Sequence, residues 1–103
     1  MELKQVFIHH VFFWLKNPTD QNDLVQLEKG LRTLTEISTV KSFHIGKPAA
    51  TNRGVIDNTY SLSWMIIFNN AADQDSYQVD PIHLKFVEDY SQLWQKVVVY
   101  DAI

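Results

Sequence analysis

Cysteine is missing from all 103 residues, so no disulfide framework, thiolate metal site or cysteine nucleophile is available. Basic residues are sparse as well: nine Lys and Arg against twelve Asp and Glu give a formal net charge of -3, with no cationic cluster. Phosphate contacts need several cations on one face, so neither DNA nor RNA is an expected partner. No apolar run approaches the length of a membrane span, which argues against a membrane partner. The first residues lack the basic region and small-residue cleavage site of a signal peptide. Together with the absent cysteine, this predicts a cytoplasmic location.

What is abundant is apolar surface, 46% of the residues. That length and composition predict one domain over residues 1–103 with a single core, and leave no room for a separate cofactor domain. No cofactor is expected. Gln5 to Lys16 is aromatic and β-branched, a strand ended by Asn17 and Pro18. Leu24, Leu27, Leu31 and Leu34 recur at helical spacing behind a cap at Thr19 or Asp20. A shorter strand is predicted between Thr39 and Lys47, then a polar loop from Pro48 to Asn58 with Gly54 as its turn point. Tyr60 to Phe68 alternates as a third strand, with Tyr60, Leu62, Trp64, Ile66 and Phe68 on one face. Asn69 or Asn70 caps a short helix through Tyr77, Asp80 and Pro81 start another that runs to about Leu93, and Val97 to Tyr100 closes the chain as a strand.

The order β-α-β-β-α-β, with its second helical region split, is ferredoxin-like. It predicts an α+β fold with one four-stranded antiparallel sheet and helices on one face. Strand one resists that arrangement. Phe7, His9, Val11, Phe13 and Leu15 point one way and Val6, Ile8, His10, Phe12 and Trp14 the other, so both faces are apolar. Leaving a side chain such as Phe12 or Trp14 in water forfeits roughly 1.5–3 kcal/mol. A second copy is the economical cover, and the expectation is a homodimer joined sheet to sheet by an isologous contact.

His-His-Val-Phe-Phe-Trp-Leu-Lys at 9 to 16, Tyr77 with Asp-Pro-Ile-His at 80 to 83, and Leu-Trp-Gln-Lys-Val-Val-Val-Tyr-Asp at 93 to 101 resemble the stress-responsive A/B barrel family, also called Dabb for dimeric alpha-beta barrel. The resemblance spans nearly the whole chain and implies ferredoxin-like protomers that pair their sheets into a barrel. One plant polyketide cyclase of the family, olivetolic acid cyclase, is similar where a tyrosine precedes a His-Pro-x-His motif. That likeness implies a catalytic histidine at His83, its tyrosine at Tyr77 and a strand-one histidine at His9. Asp80 departs from the pattern by replacing the first histidine of the motif.

His83 falls in the first turn of its helix, where the dipole favours a neutral ring, while the nearby Asp80 favours a charged one. A neutral imidazole can accept a proton, and the Tyr77 hydroxyl can hold a carbonyl or enolate oxygen. The leading expectation is a small hydrophobic carbonyl-type metabolite bound in a pocket between sheet and helices. The alternative is a cofactor-independent cyclase or lyase with His83 as general base, Tyr77 as orienting donor and His9 as auxiliary polar group. A purely structural reading has His83 closing a helix end and Tyr77 packing with its hydroxyl at the surface. His9 and His10 are adjacent in a strand and cannot share one metal. A zinc site from His9, His44 and His83 is the metal alternative, although no resident metal is expected. For Arg53 the readings are an anion-contacting pocket gate and, favoured over it, part of a solvated turn; Trp14, Trp64 and Trp94 read as packing.

Overall fold

The computed structural model describes residues 1–103. Its elements are β1 (Phe7–Leu15), α1 (Gln21–Leu34), β2 (Ser42–Gly46), β3 (Leu62–Phe68), α2 (Ala71–Val79), α3 (Pro81–Tyr90) and β4 (Trp94–Ala102), with a 3-10 turn at Ser91–Leu93. The strands make one antiparallel sheet in the order β2-β3-β1-β4. The architecture is the expected ferredoxin-like one, with helices on one face. No helix is long and apolar enough to cross a membrane.

Local chemistry sets the helix starts. Asp20 rather than Thr19 caps α1, its carboxylate accepting from the N–H groups of Asn22 and Asp23 at 2.9 and 3.1 Å. Asn70 caps α2 through the Asp73 N–H, and Asp80 caps α3 through the Ile82 N–H, both at 2.8 Å. Pro81 follows Asp80, where its missing N–H costs no hydrogen bond. Leu27, Leu31 and Leu34 of α1 are buried against Val11, Phe13 and Leu15 of β1 and Leu62, Trp64, Ile66 and Phe68 of β3. Gly30 brings α1 close to α3: a Cβ there would lie 2.7 Å from the Tyr90 ring.

Several boundaries differ from expectation. β4 begins at Trp94 rather than Val97 and extends to Ala102, because it pairs with β1 from Leu15 to Ile8. Helix α3 correspondingly stops at Tyr90, short of Leu93. β2 starts at Ser42 rather than Val40. At the head of β3, the Ser61 hydroxyl accepts the Leu15 N–H at 3.1 Å, a side chain standing where a strand carbonyl would continue the ladder. Tyr60 therefore precedes the strand. It turns to the open sheet face and meets Phe12, ring centres 5.0 Å apart.

The open face carries His10, Phe12 and Trp14 half-buried and Tyr100 exposed. Part of the segment between β2 and β3 lies against it: Trp14 Nε1 donates to Thr59 Oγ1 at 2.9 Å. The molecule measures 36 × 34 × 17 Å, the thickness of one sheet and one helical layer.

Candidate functional site

The junction of α2 and α3 delivers the site. Tyr77 lies in the last turns of α2 and His83 in the first turn of α3, with Asp80 and Pro81 fixing the bend between them. Their rings meet edge to face, centres 4.8 Å apart. From the sheet, the odd side chains of β1 point toward the helices, which brings the His9 ring to 5.9 Å from that of Tyr77. His9, Tyr77 and His83 all line one cavity of about 180 Å³, walled otherwise by Gln78 and by apolar groups including Val11, Phe13, Phe86 and Trp94. The structure thus brings together the three residues singled out in the sequence.

Each of the three is held differently. Tyr77 is 1% exposed, and Trp64 Nε1 donates to its oxygen at 3.0 Å. The phenolic proton finds no acceptor within the chain. Burial raises the Tyr77 pKa well above the ordinary phenol value, with the Trp64 hydrogen bond opposing only in part. The phenol therefore stays protonated and remains a donor. His9 is 5% exposed; its Nδ1 lies 2.6 Å from Asp101 Oδ1, the imidazole N–H donating to the carboxylate. Asp101 is the register partner of His9 across β1 and β4, so the sheet itself builds the pair.

His83 is half-buried, and its Nδ1 is enclosed without any hydrogen-bond partner. Burial lowers its pKa, the neighbouring His9 lowers it further, and Asp80 pulls the other way without prevailing. Asp80 is itself engaged as the α3 cap. The ring is accordingly a neutral imidazole at neutral pH, able to accept a proton.

Other candidates lie elsewhere. His44 is in register with Met65, which is in register with His10, so His44 shares the open face and not the cavity. His9, His44 and His83 therefore cannot converge on one ion, which removes the zinc reading. No other group of three or more His, Asp or Glu is arranged to hold a metal. Arg53 is exposed in the segment before β3 and does not line the cavity.

Sequence reasoning missed two contributors. Asp101 escaped because the last strand was expected to end at Tyr100; extending the alternation of Val97 and Val99 by one step would have placed it on the His9 face. Trp64 was read as packing alone, and its bond to Tyr77 had no signal in the chain.

No match is found among curated protein sequences. Among solved structures, the chain is similar to a dabb family protein with a ferredoxin-like fold from Mesorhizobium loti, at 22% identity and TM-score 0.78 over 95% of each chain. It is similar to the hydroxynitrile lyase of Passiflora edulis at 21% identity and TM-score 0.78, covering 98% of this chain and 94% of that one. A dimeric protein of unknown function from Bacteroides fragilis matches at 14% identity and TM-score 0.73 over 98% of both chains. These likenesses show the fold. The model of the stress responsive A/B barrel domain matches residues 7–103, nearly the entire sequence, and the chain belongs to that family, Dabb.

Proposed function

We propose that this protein binds a small hydrophobic carbonyl compound in the cavity lined by His9, Tyr77 and His83. The observation that carries the reading is the convergence of His9, Tyr77 and His83 on one cavity whose remaining lining is apolar apart from Gln78. The apolar walls favour a hydrophobic body, and the Tyr77 hydroxyl, with its proton uncommitted, suits an oxygen acceptor. A cavity of about 150 Å³ accommodates a benzene ring, so about 180 Å³ fits one ring bearing a carbonyl.

The same geometry favours turnover without a cofactor. Neutral His83 takes a proton from the carbon beside the carbonyl, the electron pair moves onto oxygen, and Tyr77 donates its hydrogen bond to that enolate. His9, oriented by Asp101 through Nδ1, keeps Nε2 for proton exchange with the ligand. Support comes from the local likeness of the Tyr77 and His83 segment to olivetolic acid cyclase, and from the hydroxynitrile lyase activity that the similar Passiflora edulis protein has on this fold. A sheet-to-sheet homodimer completes the proposal, in keeping with the dimeric Bacteroides fragilis protein.

The test is deuterium uptake at the methyl group of acetophenone in heavy water, followed by NMR, alongside a binding titration. Wild type binds the ketone and speeds exchange above buffer. His83→Gln lowers the rate about 10²–10⁴-fold while folding normally. Binding without any accelerated exchange removes catalysis and leaves the binding reading. No binding of acetophenone removes both.

A further inference from the structure

Phe86 lies between two hollows. On one side is the cavity of about 180 Å³ that holds His9, Tyr77 and His83. On the other is a hollow of about 360 Å³ between α1 and α3, lined by Ile82, Phe86 and Tyr90 and edged with Thr33, Glu36, Lys85 and Asp89. Phe86 lines both and is 4% exposed. Its ring stacks on Tyr90 at 5.7 Å and 29° and on Trp94 at 5.6 Å and 27°. Contact with these two rings holds the partition in place, one helical turn beyond His83 on the same face of α3.

We infer that Phe86 is a specificity-determining residue that ends the ligand site behind His83 and limits its occupants to compounds about one ring in size. The inference rests on the binding reading above and sharpens its ligand class. Shortening the Phe86 side chain joins the cavity to the hollow between the helices and makes room for an apolar tail. Beyond the ring the apolar lining is Ile82 and Tyr90, while the polar lining residues Thr33, Glu36, Lys85 and Asp89 are all solvent-exposed, the last two as an ion pair.

The experiment uses para-alkylphenols from phenol to para-hexylphenol, whose hydroxyl offers His83 a proton and Tyr77 an acceptor, titrated by calorimetry into the full-length protein. While each added methylene is buried, affinity rises about fourfold per step. In wild type that rise stops within the first few carbons and then reverses. In Phe86→Ala it continues, and para-hexylphenol binds about tenfold or more tightly than to wild type. Phe86→Leu, the milder variant, shifts the limit by fewer carbons, and thermal melts establish that each variant is folded. An unchanged length profile in either folded variant overturns the inference while leaving the binding reading intact. So does a wild-type profile that climbs through hexyl, because the tail then leaves by the mouth beside Val97 and Val99; this arm stands even if neither variant folds. A wild type that binds no phenol of any length overturns the inference, and the acetophenone titration decides the binding reading separately.

Discussion

An imidazole in the first turn of a helix is subject to opposed influences, and at His83 burial prevails over Asp80. The sequence displayed both groups but not the enclosure, because desolvation depends on what packs around a ring and not on its neighbours in the chain. The sign of the pH response follows. A base with its pKa lowered remains active as the pH falls past the ordinary midpoint of about 6.5 and loses its function only below it. The acetophenone exchange rate, measured between about pH 5 and 8, is therefore level near neutrality and falls with an apparent midpoint below that of a free imidazole; a midpoint at or above the free value contradicts the assignment. Stability carries the same signature. The unfolded chain takes up the proton first, so the contribution of His83 is present above the unfolded midpoint and fades as the pH drops through the lower folded one. His83→Gln flattens the slope of melting temperature against pH in that window, while His10, lowered chiefly by its own burial, retains part of it.

Elements were legible where one periodicity dominated. The Leu24 to Leu34 stripe gave α1, and Asp80 with Pro81 gave the start of α3 that positions His83. The end of α3 was not legible: Leu93 and Trp94 continue an apolar helical spacing, and only the ladder against β1 assigns Trp94 to a strand. Tyr60 was assigned to the wrong face for a related reason, since the Ser61 hydroxyl ends the β3 ladder before alternation can reach it. Gly30 gave no sequence signal either, although it sets the spacing of α1 and α3. In an exposed helix, replacing Gly by Ala gains about 1 kcal/mol. At Gly30 the added methyl would come within 2.7–2.9 Å of the Tyr90 ring, and overpacking of this kind costs about 1–3 kcal/mol. Tyr90 is stacked on Phe86, which limits its retreat. Gly30→Ala therefore lowers the melting temperature, by roughly 4–8 °C for a net loss near 1 kcal/mol. A melting point that rises means that the Tyr90 ring yields freely.

At the scale of the whole molecule, the two apolar faces of β1 have different fates. One packs under the helices; the other is left on a slab 17 Å thick whose broad face spans 36 × 34 Å. That face is wide enough for the roughly 800 Å² per partner of a standard interface. Its intramolecular cover is partial: the Thr59 hydroxyl takes the Trp14 N–H and Tyr60 packs on Phe12, yet Tyr100 remains 66% exposed. The sequence revealed the need for cover but not the share met by the chain itself, because a polar segment carries no period that tells where it folds back. In a sheet-to-sheet pair the remaining rings become interior. Light scattering on a sizing column at micromolar concentration is expected to give about twice the 12.0 kDa of one chain for wild type. Tyr100→Lys introduces one charge per copy into the contact without disturbing a buried core position, and shifts the species toward the single-chain mass while the circular dichroism spectrum is preserved. A wild type that runs as one chain, or a Tyr100→Lys variant as dimeric as wild type, places the contact elsewhere and leaves this face to solvent.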